Sequence, residues 1–192
     1  MKIFKLSPRI LALSAALAAI SAVVQLVHIG YQSPTWGMWI DLVAVTWIIA
    51  FFLFGLRSSI AVSITGALII TIFDPSTWLG ASMKFIATAP LYLSLYLYLR
   101  LYKKKLQYYD KPFHLLIPTF IGLIIRSLIV LPLNYFYAIP IWTGMDPIKA
   151  IAAIPWFVIV GFNIVQGILD ISLAWILVFR FRLSRYADWN NE

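Results

Sequence analysis

Apolar residues in this chain run in long blocks instead of alternating with polar ones. Five blocks are long and apolar enough to sit in a bilayer, and a sixth is nearly so. The first runs from about Ile10 to Ile29, the second from about Trp39 to Leu56, and the third from about Ser59 to Phe73. The fourth covers about Ser82 to Tyr102 and contains Pro90. The fifth covers about Phe113 to Phe136, with Pro118 near its start and Pro132 near its end, and the sixth covers about Ile154 to Phe179. A helix needs about 20 residues to cross the hydrocarbon core. The short third block, interrupted by Gly66, is therefore expected within the bundle or against a thinned bilayer. The pattern predicts an all-α, polytopic membrane protein with six transmembrane helices, forming a single domain over residues 1–192.

Composition agrees. Hydrophobic residues make up 62% of the chain and charged residues 11%, far from a soluble domain. No polar stretch exceeds about 15 residues, which leaves no room for an ATPase or a receptor ectodomain. Cysteine is absent, excluding a disulfide, a thiolate metal site and a Cys nucleophile. The apolar run after Arg9 continues to about Val27, too long for the core of a signal peptide, so it is expected to remain as the first helix.

The net charge of +8 gains meaning once the charges are placed. Lys2, Lys5, Arg9, Arg57, Arg100, Lys103, Lys104, Lys105, Lys111, Arg180, Arg182 and Arg185 fall at one set of helix ends, and Lys149 falls at the other. This is the positive-inside bias of a membrane protein, not a nucleic-acid footprint. With six crossings it puts both termini and the basic loops in the cytoplasm. The outer loops, Gly30 to Met38, Asp74 to Ala81 and Tyr137 to Ala153, are aromatic and poor in charge. They suit a small ligand; the alternative is the aromatic belt found at membrane interfaces, to which Trp39, Trp142 and Trp156 would belong.

The few polar residues inside the blocks are the candidate chemistry. Arg126 lies deep in the fifth block, where an ion costs about 2.5–3.5 kcal/mol to insert, so it should face inward and be paired. Asp170 on the sixth is its expected partner, as a helix tie or a polar floor under a ligand. Asp41 and Lys84 both lie at the outer edge and are expected to pair or to bind ligand. Asn163, Gln166 and Asp170 recur at spacings of three and four and share one helical face. With Asn134 and Tyr135 they form a stripe suited to a neutral, hydrogen-bonding ligand, or to bonds between helices. In the first block, Ala12/Ala16, Ala15/Ala19 and Ala18/Ala22 are small-xxx-small pairs that let another helix approach, inside or outside the bundle. Enzyme signals are poor: His28 and His114 fall on opposite sides, and no hydrolase, metalloprotease or phosphate-loop motif is present.

This arrangement resembles the substrate-binding S components of energy-coupling factor (ECF) vitamin transporters. The Ala-rich first helix is similar to that family's alanine motif, with Ala12, Ala15, Ala16 and Ala19 at the matching positions. The stretch from Arg126 through Asn134-Tyr135-Phe136 to Pro140 resembles the fifth helix of riboflavin-binding members. Asp41 with Phe54-Gly55, Met83-Lys84-Phe85-Ile86-Ala87, and Ile154-Pro155 with Asn163 and Gly167 resemble their second, fourth and sixth helices. The sequence departs from them in carrying Gln166 where Lys is usual and Leu56 where Pro follows Gly.

The resemblance implies six helices and a vitamin pocket near the outer face. It implies docking of the alanine face on a transmembrane coupling subunit served by two ATPase subunits. Riboflavin is the expected ligand, as cargo and not as cofactor, and no cofactor, metal or enzymatic activity is expected. Asn134, Tyr135, Asn163 and Gln166 would hydrogen-bond it, and Trp36, Trp39 and Trp78 would stack on or cover its ring. Arg126, Asp170, Asp41 and Lys84 would order the pocket or meet the ligand's polar end. The alternatives are an S component for another vitamin or heterocycle, an intramembrane enzyme acting on lipid, and a structural membrane subunit.

Overall fold

The computed structural model describes residues 7–187 and Trp189. Lys2 and Lys5 lie outside these residues. Ser7 caps the first helix, α1 (Pro8–Leu26), through its hydroxyl, which accepts the Ile10 N–H, and Pro8 supplies a first-turn residue that needs no donor. The chain then forms a short hairpin, β1 (Gly30–Gln32) against β2 (Trp39–Asp41), with Tyr31 opposite Ile40. The expected second helix therefore starts later than its apolar block. It is α2 (Val43–Phe54), begun by the Asp41 carboxylate accepting the Val43 N–H at 2.9 Å.

All twelve residues of α2 are buried. At about 1.5 Å per residue it is too short to span the hydrocarbon core, and its neighbours enclose it. It ends at Gly55, whose φ of 82° is open to glycine, and α3 (Leu56–Phe73) follows at once.

Next come α4 (Trp78–Leu101), which runs through Pro90 without interruption, and α5 (Leu116–Leu133). A π-helical turn at Asn134–Ala138 leads to the short helices α6 (Ile139–Thr143) and α7 (Pro147–Ala153). The last long helix is α8 (Trp156–Trp175), extended by a π-helical turn to Arg180. Among the described residues four helical stretches are long and apolar enough to cross a membrane: 8–26, 56–73, 112–143 and 156–180. In α4, 24 residues long, Lys84, Pro90 and Tyr92, Tyr96 and Tyr98 lower the hydropathy.

Two ends of the bundle differ. One collects Arg9, Arg57, Arg100, Lys103–Lys105, Lys111, Arg180, Arg182 and Arg185 at helix ends and in the loop between α4 and α5. That loop is anchored. Tyr109 is buried and donates its hydroxyl to Leu95 O at 2.7 Å, while its own carbonyl accepts the Trp175 indole N–H at 2.8 Å. Burial raises the Tyr109 pKa above that of an ordinary phenol, so this donor keeps its proton. Phe51, Phe52, Leu95, Tyr109 and Val178 belong to the core at this end. Toward the other end a smaller core surrounds Val130, Tyr135, Ile139 and Ile159. There the hairpin, the N-termini of α2, α4 and α8, and the π-turn with α6 enclose an open space.

Candidate ligand-binding site

That space is a cavity of about 840 Å³, within the roughly 300–1,000 Å³ typical of small-molecule sites. Trp36 and Trp39 reach it from the hairpin, Trp78 from the start of α4, and Trp142 from α6. Ser33 orders the hairpin tip: its N–H donates to Met38 O, its carbonyl accepts from Gly37 N–H, and its hydroxyl accepts from Trp36 N–H at 3.3 Å. Gly37 has a φ of 65°, and the Trp142 ring lies directly where a Cβ would stand. This contact links the hairpin to α6 across the mouth. Trp78 is steadied edge-on by Tyr137, with ring centroids 6.4 Å apart.

The floor is a connected set of charges and amides. Lys84 from α4 pairs with Asp41 at the end of β2. The Gln166 side chain takes both backbone groups of Asp41: its oxygen accepts the Asp41 N–H at 2.9 Å and its amide donates to the Asp41 carbonyl at 2.8 Å. The same amide nitrogen donates to the Asp170 carboxylate at 2.7 Å. Asp170, fully buried, lies 3.8 Å from the Arg126 guanidinium. Arg126 Nε–H donates to Asn163 Oδ1 at 3.1 Å, and Asn163 returns an N–H to Ile159 O within α8. Two cations and two carboxylates balance, so the floor carries no net charge. Buried charges are tolerable in this form because each has a partner of opposite sign, and Asp41, Arg126 and Asp170 have further hydrogen-bond partners.

Both charge pairs expected from the sequence are therefore present. Trp36, Trp39, Asp41, Trp78, Lys84, Arg126, Asn134, Asn163, Gln166 and Asp170 all line the cavity. Two of the expected ligand contacts, Gln166 and Tyr135, are engaged elsewhere. Gln166 is committed to Asp41 and Asp170, which occupies both N–H groups of its amide, so it builds the floor and has little left for a ligand. Tyr135 does not line the cavity; it is buried, and its hydroxyl donates to Ile154 O at 2.7 Å. Asn134 beside it uses one amide N–H on Val130 O and keeps its oxygen and second N–H for the cavity.

Trp142, for which the sequence left both a ligand-facing and an interfacial role open, is a wall of the cavity. His28 is another: it lies on the cavity side of the hairpin and packs against Trp39 at 5.5 Å between ring centroids. A glycine inside an aromatic loop was the available sign of the Trp142 contact. No group of acidic or histidine residues suited to a metal occurs among the described residues.

On α1, Ala12, Ala15, Ala16 and Ala19 are exposed. Ala18 and Ala22 face inward and belong to the same core as Val43, Trp47 and Val62. The small-residue spacing thus serves both sides of the helix.

Comparison with known proteins agrees with this architecture. The family described as "ECF transporter, substrate-specific component" matches residues 9–180. No curated protein matches the chain. A solved structure of the S component of a bacterial ECF transporter is similar over 94% of this chain and 98% of that one, with a TM-score of 0.69 and 25% identity. Both are transporter subunits and not enzymes. The chain belongs to the family of substrate-specific (S) components of ECF transporters.

Proposed function

We propose that this S component captures riboflavin from the outer face of a prokaryotic plasma membrane, in a chain that crosses six times and keeps both termini in the cytoplasm. The distribution of basic residues supports that orientation: besides the paired floor cations Lys84 and Arg126, the cavity end holds Lys149, paired with Asp146, while the other cations gather at the opposite end. The observation that carries the ligand reading is a cavity walled by indoles over a polar floor without net charge. Indoles present flat apolar faces to a flat ring system. A neutral floor favours a neutral heterocycle over an anion or cation, since a charged ligand would be desolvated without a counter-ion. Asn134, with an acceptor and a donor uncommitted, is the residue best prepared to hydrogen-bond a ligand edge that carries both, as a flavin does.

Transport requires other subunits. The exposed face of Ala12, Ala15, Ala16 and Ala19 is the proposed seat of a transmembrane coupling subunit, which two ATPase subunits would energise. The test is titration of the detergent-purified chain into riboflavin, following flavin fluorescence. Stoichiometric quenching by stacking on indoles supports the reading, with Asn134→Ala weakening binding by about tenfold, the loss of one or two hydrogen bonds at about 1 kcal/mol each. Unchanged flavin fluorescence, with binding of another vitamin, replaces the ligand. Absence of binding to any vitamin overturns the reading.

A further inference from the structure

We propose that the loop joining α4 to α5, at the end remote from the cavity, binds the phosphate headgroup of an anionic phospholipid. The observations are independent of which ligand the cavity takes. α4 is closed by hydrogen bonds from Lys103 N–H to Arg100 O at 3.3 Å and from Lys104 N–H to Leu99 O at 2.8 Å. That closure puts Lys103 at a φ of 50°, the left-handed position where helices ordinarily place glycine. A lysine is held there under strain, and the turn leaves Lys103, Lys104 and Lys105 all exposed.

The loop beneath them is fixed. Leu106 and Tyr109 are buried, Lys104 lies 5.6 Å above the Tyr108 ring, and Tyr108 stacks on His114 with centroids 3.8 Å apart. The Trp175 bond to Tyr109 ties in the end of α8, which is followed along the chain by exposed Arg180 and Arg182. Asp110 is the acidic residue of the loop, and among the described residues no ion pair joins it to any of these cations. Among the described residues, then, no carboxylate is paired with these cations.

The apolar flanks select lipid over a soluble acidic partner. Leu101 and Phe113 bracket the lysines in sequence and are 76% and 79% exposed. They continue the exposed apolar faces of α4 and α5 at Leu97, Leu116 and Ile117. One phospholipid meets both demands, its acyl chains covering the apolar flank and its phosphate the lysines. An acidic protein in water would leave the flank wet.

The experiment is native mass spectrometry of the full chain in mild detergent, titrated with phosphatidylglycerol or phosphatidylcholine. The wild type is expected to retain phosphatidylglycerol preferentially. Lys103→Gln/Lys104→Gln/Lys105→Gln should reduce that preference by about fivefold for each lysine, the equivalent of about 1 kcal/mol per cation near an anionic surface. Lys149→Gln, at the cavity end, should leave it unchanged. Lys103→Gly, which relieves the backbone strain, should raise the thermal midpoint while weakening phosphatidylglycerol retention. Equal retention of the two lipids by wild type, or an undiminished preference in the lysine variants, overturns the proposal. So does displacement of phosphatidylglycerol by an equal concentration of inorganic phosphate, or by the purified coupling subunit.

Discussion

The side-chain amide of Gln166 holds both backbone groups of Asp41, at 2.9 and 2.8 Å, across 125 residues of sequence. It makes the bond a neighbouring strand would otherwise make, and so fixes the end of the hairpin and the start of α2 against α8. The Asp170 carboxylate then accepts from the same nitrogen. Replacing Gln166 with Leu leaves two backbone groups and a carboxylate oxygen buried with a lost partner. Each costs about 1–3 kcal/mol. Gln166→Leu is therefore expected to lower the thermal midpoint in detergent and to weaken ligand binding together. Gln166→Glu should be worse, because it turns an oxygen toward the Asp41 carbonyl and the Asp170 carboxylate. A Gln166→Leu protein of wild-type stability would contradict this role.

The Arg126–Asp170 pair gives a second prediction. Removing one partner of a buried ion pair costs about 3–5 kcal/mol, whereas replacing both by apolar residues is often neutral. Arg126→Leu alone and Asp170→Leu alone should each destabilise by about that amount. The double variant should recover most of the loss, as read by thermal unfolding in a double-mutant cycle. Additive losses would show that the 3.8 Å pair is not a unit.

How the site is built explains what the sequence could and could not tell. The ion pairs were legible because a charge inside an apolar block must find a partner, and few candidates exist. The face shared by Asn163, Gln166 and Asp170 was legible from helical spacing alone. The hairpin was not: Trp39-Ile40-Asp41 is continuous with an apolar run, and a three-residue strand is too short to show an alternating pattern. Nor was the difference between Asn134 and Tyr135. They are adjacent on a π-helical turn, which alters the rotation per residue, and one faces the cavity while the other faces the core. The commitment of Gln166 to Asp41 was hidden because that partner is backbone, which carries no sequence signature.

The mouth of the cavity depends on a close approach. A Cβ at Gly37 would run into the Trp142 ring, and the φ of 65° disfavours any side chain. Gly37→Ala is expected to push the hairpin tip away from α6 and weaken ligand binding by about tenfold or more, mainly by speeding ligand release. Trp142→Ala in the same chain makes room for the methyl and should restore part of the stability but not the affinity. Measurement of dissociation rates by stopped flow distinguishes the two; an unchanged rate in Gly37→Ala would refute the contact's role.

The alanine face makes a separable prediction. Ala12, Ala15, Ala16 and Ala19 are exposed among the described residues, so bulk added there extends outward from the bundle. Ala15→Leu/Ala19→Leu should leave ligand affinity unchanged and abolish co-purification with the coupling subunit, since small residues are what permit close helix approach in a membrane. Ala18→Leu, facing Trp47 and Val62, should destabilise the chain itself by about 1–3 kcal/mol through overpacking. Equal behaviour of the two variants would contradict the division of α1 into an inner and an outer face.

Riboflavin held in the proposed cavity would colour the purified protein. The most direct measurement is the absorption spectrum of protein purified in detergent from cells supplied with the vitamin, followed by mass spectrometry of what denaturation releases. A yellow protein with a flavin spectrum and one riboflavin released per chain is the expected result. A colourless protein that releases no flavin, and takes none up when it is added, would contradict it.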